Sequence, residues 1–209
     1  MCSPALESPT NALRLRSGAG AAYAKKGIDV TVRVAEKLTL IDPSMDYEKE
    51  FLEMTADFRH AGDMSYDVVP ELIRHDFAGY VRKLHDQANG IGLDAGRVPS
   101  NTYWLLREDD RTVLGASSLR HELTPSLEIE GGHIGYRIRP SQRRKGYGTQ
   151  ILALTLEKAR EAGLRRVLVT CDTDNITSAH IIQKNGGIFE NEVISPYTGK
   201  RVSRYWIDV

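Results

Sequence analysis

A mixed α/β fold, a sheet with helices on its faces, is what this sequence predicts. Three observations carry it. Short alternating apolar runs of strand length recur along the chain, as at residues 112–120 and 132–139. Longer segments with apolar residues three and four apart lie between them. Breaks rich in Gly, Pro and Asp separate the two kinds.

Each element has its own signal. Lys37-Leu38-Thr39-Leu40-Ile41 reads as the first strand, stopped by Asp42-Pro43. Residues 30–34 alternate too, as an earlier strand or part of a tail. A helix over 47–61 puts Phe51, Met54, Thr55 and Phe58 on one face, and Gly62-Asp63 ends it. A second helix begins at Pro70 or Phe77 and ends at Ala88, before the Gly-rich loop 89–96. Strands at 103–107 and 112–120 flank the turn Glu108-Asp109-Asp110, and 132–139 is the next strand. The helix after Gly148 carries Ile151, Leu152, Thr155, Leu156 and Ala159 as one stripe and stops at Gly163. Residues 166–171 are apolar on both faces, as in a strand covered on both sides. A helix over 175–185 ends in Gly186-Gly187, and strands near 188–194 and 202–209 close the chain.

The 209 residues suit one domain with a tail: an N-terminal extension over 1–35, read as flexible, and a domain over 36–209. Ser, Pro, Gly and Ala dominate the extension. That reading is preferred to a transit peptide, although Arg14, Arg16, Lys25 and Lys26 with few acids would suit one. The whole is 41% hydrophobic and 27% charged with zero formal net charge, which argues for neither nucleic acid nor membrane as partner. No apolar run approaches the ~20 residues that span a bilayer. Cys2 and Cys171 make no disulfide framework, and a cytoplasmic location is expected. Six histidines without metal-ligand spacing predict no metal.

The chemistry is concentrated in Arg143-Arg144-Lys145-Gly146-Tyr147-Gly148, between a strand and a helix. Glycines at 146 and 148 let the backbone turn with its amides pointing into one concavity. The helix beyond adds unpaired N–H groups and the positive end of its dipole. Such a turn seats a pyrophosphate.

The order and residues resemble the GNAT superfamily of acetyl-CoA-dependent N-acetyltransferases. Its signature Arg/Gln-x-x-Gly-x-Gly/Ala is filled by Arg143, Gly146 and Gly148. Its later Asn, small residue and Lys-x-Gly are matched by Asn175, Ser178 and Lys184-Asn185-Gly186. The resemblance runs from about residue 36 onward and is sharpest over 133–189. It implies a mostly antiparallel central sheet of about six or seven strands flanked by helices on both faces. It also implies acetyl-CoA as cosubstrate. The amides of Arg144, Lys145, Gly146, Tyr147 and Gly148 would hold the pyrophosphate, with Arg143 and Arg144 adding charge and Lys145 reaching a phosphate. Ile138 and Arg139 would lie along the pantetheine arm, and Asn175 and Ser178 would face it. Asn175 also suits a helix cap.

Amide formation from a thioester needs a neutral amine, a proton for the departing thiolate and a donor to the carbonyl oxygen. Many members of the family place a Tyr four residues after the small helix position. Here that place is Ile182, so the common general acid is absent. Tyr136, Tyr197 and Tyr205 are substitutes by type only, and water can serve instead. Candidate bases are Glu130, then His133, then Glu122, with ordered water as the alternative to all three. A lone histidine is more often structural than catalytic. Cys171 reads as a buried small hydrophobe rather than a nucleophile.

The expected activity is acetyl transfer to a primary amine of a small molecule or peptide by direct attack on the thioester. The alternative is a CoA-binding or acyl-CoA-binding sensor or scaffold with little turnover, for which Ile182 speaks. A nucleic-acid patch built from Arg137, Arg139, Arg143, Arg144 and Lys145 lacks interleaved aromatics. A homodimer is compatible with the sequence. The resemblance implies that acceptor specificity lies in 47–96 and 192–204, where the charges are mixed, so neither a polyamine nor a phosphorylated acceptor is indicated.

Overall fold

The computed structural model describes residues 36–63 and 70–209. The expected extension and the alternation at 30–34 lie outside the described residues. So do 64–69, in the segment after the first helix.

The described strands are β1 Leu38–Ile41, β2 Ser100–Arg107, β3 Thr112–Arg120, β4 Ile134–Ile138, β5 Arg166–Asp172, β6 Ile188–Ile194 and β7 Arg201–Asp208. The helices are α1 Glu48–His60, α2 Pro70–His75, α3 Phe77–Ala88, α4 Pro125–Ile129, α5 Tyr147–Glu161 and α6 Ile176–Lys184. The two expected starts of the second helix are two helices. Asp76 divides them, because its side chain accepts from Gly79 N at 2.8 Å and caps α3. The short α4 was not expected. Its five residues are too few to show a helical period, and its signal is local: Thr124 caps it and Pro125 begins it.

Every ladder is antiparallel, and the expected number of strands is found. The expected sheet is present in two parts, ordered β1-β2-β3-β4 and β5-β7-β6. No ladder joins β4 to β5. The hydrogen bonds to β5 come from the residues leading into β4, while Ile134 of β4 packs against Val167 and Val169 in a shared core. His133 N donates to Leu168 O at 2.7 Å, and Leu168 N donates to His133 Nδ1 at 2.9 Å. Gly131 and Gly132, both at positive φ, carry the chain into that contact. Past it the two strands share no ladder.

Side-chain alternation covers both faces of the larger sheet. Trp104 and Ala116 pack with Phe51, Met54 and Phe58 of α1 and with Phe77 and Val81 of α3. Trp104 is stacked on Phe51 with centroids 4.4 Å apart. On the other face Leu119 and Ile134 pack with Leu152 of α5, and Leu114 and Ile138 pack with Ile151. Burial of each such side chain stabilises the fold by about 1.5–3 kcal/mol. The predicted stripe of α5 is the buried one. β6 is an edge strand with exposed Ile188, Phe189 and Ile194.

Gly132 is where the join between the sheets is most sensitive. It has a φ of 59°, and a Cβ there would run into the carbonyl of Leu168. Gly132→Ala is expected to lower stability by about 2 kcal/mol or more. Urea denaturation checks this, and an unchanged midpoint would show that the join carries no such constraint.

Candidate active site

The turn before α5 has the backbone form that the sequence suggested. Arg144 has φ of 63° and Gly146 has φ of 89°. The first amides of the helix to find a carbonyl are Thr149 N and Gln150 N, both on Gly146 O. Among the described residues no acceptor takes the amides of 144–148. A run of free N–H groups at the start of a 15-residue helix is a ready anion seat. The two glycines serve it differently. Gly146 has open space around it and is required by its positive φ. Gly148 packs closely on α6: a Cβ there would stand 2.6 Å from Ile181 Cδ1, the end of a side chain that would have to turn aside.

Side chains around the turn are largely engaged in holding it. Arg143 Nε donates to Ile138 O at 3.0 Å, and its guanidinium pairs with Asp63 and lies over Phe58. Arg139 Nε donates to Asp57 Oδ2 at 3.1 Å, and Ser141 gives the same oxygen its amide and hydroxyl. Desolvation pushes the Asp57 carboxyl up, but the hydrogen bonds from Ser141 and Arg139 outweigh it and hold it below the usual carboxylate range. Lys145 Nζ donates to Gln142 Oε1 at 2.9 Å. The Tyr147 ring is buried, and its hydroxyl donates to Glu36 at 2.6 Å and accepts from Arg107 at 2.9 Å. Tyr147 therefore offers the seat its amide and not its side chain.

Beyond the turn, β4 and β5 border a cavity of about 690 Å³. Asn175 caps α6, its Oδ1 accepting from Ser178 N at 3.0 Å. Ser178 Oγ meets Tyr136 Oη at 3.0 Å across the gap between the sheets. Burial pushes the Tyr136 phenol up to about 12. Burial also pushes the Cys171 thiol up to about 11, against a lowering hydrogen bond from Ser178, so it stays a thiol at neutral pH. Ile182 is wholly buried behind this pair. The Tyr136–Ser178 contact was not legible in the sequence, because nothing in a strand-then-helix pattern says which side chains meet across a divergence.

The three acid–base candidates part company. Glu130 lines the cavity, and its Oε2 accepts from Thr198 Oγ1 at 3.2 Å. Glu122 is exposed in the bend after β3 and does not line the cavity. His133 is buried, 8% exposed, with Nδ1 taken by Leu168 N, so the neutral ring carries its proton on Nε2. Burial, and then the charge of Arg120, hold its pKa below the ordinary value. His133 is a clip between β4 and β5, and the cavity does not include it.

An anion seat at a crossover helix, opening on a cleft between two splayed sheets, is the architecture of an acyltransferase domain. Comparison with known families makes this specific: residues 38–188 match the family described as Acetyltransferase (GNAT) domain, and the chain belongs to that family. It is thereby an acetyltransferase, and acetyl-CoA is the family's cosubstrate. No curated protein matches the chain. Among solved structures, the chain is similar to the ribosomal L7/L12 alpha-N-protein acetyltransferase RimL in complex with coenzyme A. Identity is 16%, coverage is 84% of this chain and 96% of that one, and the TM-score is 0.60. It is similar to the microcin C7 self-immunity acetyltransferase MccE in complex with acetyl-CoA and AMP, at 15% identity, 84% and 94% coverage and TM-score 0.58. An acetyltransferase of the GNAT family from Bacillus anthracis matches at 19% identity, 84% and 96% coverage and TM-score 0.56. At these identities the likeness is one of fold. Among the described residues no helix is long and apolar enough to cross a membrane, and no cluster of potential metal ligands is found.

His133 gives a pH prediction. Its folded pKa lies below 6.5, so the unfolded chain takes the proton first as pH falls. Its contribution is complete above about 6.5 and is lost as pH drops through the folded value. Thermal melts between about pH 8 and 5 should show falling stability, less steeply in His133→Asn. Equal slopes in the two proteins would remove His133 from the account.

Proposed function

We propose that the chain transfers the acetyl group of acetyl-CoA to a primary amine of a small molecule or peptide. The observation that carries this is the run of unpaired amides at 144–148, which suits the diphosphate of coenzyme A. Arg144 and Lys145 are exposed beside it and add positive charge. β4 leads from that seat to the Tyr136–Ser178 pair, which suits a pantetheine arm laid along the strand with its sulfur near the two hydroxyls. Arg139 and Arg143 act as braces of the seat through Asp57, Ile138 and Asp63. RimL and MccE, whose structures hold coenzyme A and acetyl-CoA, share this fold and support the reading.

The amine must be neutral to attack. Glu130 is the candidate base, directly or through water, being the one of the three expected groups that lines the cavity. Asp172 lines it too, but Lys200 already holds Asp172 at 2.7 Å. The departing sulfur faces hydroxyls rather than the usual tyrosine of the later helix. A phenol near 12 is a poor source of a whole proton for a thiolate whose thiol titrates near ~8.5, so the Tyr136–Ser178 pair stabilises the sulfur by hydrogen bonding while solvent completes the protonation. The sensor or scaffold reading loses its main support here. It rested on the hydrophobic residue at 182 and on the want of a clear base, and two other hydroxyls, of Tyr136 and Ser178, line the cleft.

Two measurements test this. Gly146→Glu places a carboxylate at the anion seat and strains a left-handed position, and acetyl-CoA affinity should fall roughly a hundredfold or more by calorimetry. A folded variant with unchanged affinity would move the cofactor elsewhere. In a thiol-release assay over amines and peptides, Glu130→Gln and Tyr136→Phe should each lower kcat by roughly 10- to 1000-fold. Release no faster than with heated enzyme, across the whole panel, would overturn transfer.

A further inference from the structure

The cavity between β4 and β5 extends over the face of the larger sheet that looks toward α3. Its floor is one cross-strand row, Thr102, Ser118 and Gly135, directly opposite one another on β2, β3 and β4. These small residues leave open the space that Trp104 fills in the next row, where it stands opposite Ala116. An arginine stands on either side of the floor. Arg137 is opposite Ala116 in one neighbouring row, and Arg120 is opposite Ser100 in the other. At the rise of a strand each begins roughly 7 Å from the small row. Arg97, from the loop before β2, lines the same cavity.

Arg120 is tied down without being neutralised. Its Nη1 donates to Gly131 O at 3.1 Å and Gly132 O at 2.9 Å, and among the described residues it has no carboxylate partner. Burial first, then the like charges of Arg97 and Arg137, hold its pKa below the ordinary value. A guanidinium held by two carbonyls and no carboxylate keeps its full charge, and an anion beside Arg120 would gain a charge-assisted contact. The phosphates of coenzyme A do not account for the cluster. Their seat lies at 144–148, past the other end of β4. The β4 residues that face α5 are Ile134, Tyr136 and Ile138, the opposite face from Arg137.

We propose that the acceptor is an amine bearing an anionic group, a carboxylate or a phosphate ester, which Arg97, Arg120 and Arg137 hold while Glu130 faces the amine. This rests on the acetyl-transfer reading and names its substrate class. It departs from the mixed charges of the first helices, which gave no sign of such an acceptor, because two of the three arginines come from β3 and β4.

Matched acceptors test it: an amino acid against its amide, and an amino alcohol against its phosphate ester. The charged member should be preferred in kcat/KM by about tenfold or more, since it adds a charge-assisted contact that the neutral member lacks. The two arms tell carboxylate from phosphate. Arg97→Gln and Arg137→Gln, both at exposed positions, should each reduce that preference about tenfold, chiefly through KM. Lys83→Gln, on the exposed side of α3, should leave it as it is. A preference for the neutral members, or a ratio indifferent to both arginine variants, overturns the proposal. Equilibrium dialysis of the same acceptors with CoA replacing acetyl-CoA reads the selectivity without turnover. Charge-selective binding without transfer would sink the transfer reading and keep this one. Transfer confined to neutral amines would do the reverse, and no binding of either member would end it.

Discussion

The structure depends on a short reciprocal contact between His133 and Leu168. There the backbone of the segment entering β4 donates to β5, and the backbone of β5 donates back to an imidazole nitrogen instead of a carbonyl. A side chain in place of a peptide group ends the pairing. The two sheets are therefore hydrogen-bonded at the entry to β4, where Gly131 N also reaches Thr170 Oγ1, and they diverge beyond it. Had the ladder continued, β4 and β5 would have closed at strand spacing, with no room for a cofactor arm. Gly132, whose positive φ brings the chain against Leu168, and a histidine kept neutral by burial both serve that single contact.

From this divergence the functional features follow in order. The open edge of β4 leads at one end to the turn at 144–148, whose amides are unpaired because alternate residues are left-handed and because a helix begins there. At the other end it leads to the Tyr136–Ser178 pair and Glu130. The loop is fixed from outside by carboxylates of α1 and the segment just after it: Asp57 receives Arg139 and Ser141, and Asp63 receives Arg143. Much of the basic character of the signature segment is thus internal bracing. The positive character left exposed at the turn is that of Arg144, Lys145 and the unpaired backbone amides.

How far the sequence could be read varied with the range of the interaction. The stripe of α5, the alternation of β3 and the turn at 146–148 depend on residues within one or two turns of one another, and these were legible. Asp76 as a cap is equally local, yet it was passed over because the flanking helical periods blend across it. Tyr136 was named only by type, because its partner Ser178 lies on a helix whose approach to β4 is set by two sheets and a crossover. By residue type His133 suits a base, and burial against β5 gives it a structural task instead.

Sequence alone determined the element types, the glycines that permit an anion seat and the resemblance to acetyltransferases, because periodicity, backbone freedom and helix ends are properties of neighbouring residues. Tertiary structure decided that the sheet of seven strands is divided into two parts. It also decided which of Glu130, His133 and Glu122 reaches the cavity, and that arginines from a loop and two strands share one wall. Those outcomes depend on register and on where the pairing between β4 and β5 stops, and a backbone hydrogen bond leaves no mark in the order of side chains.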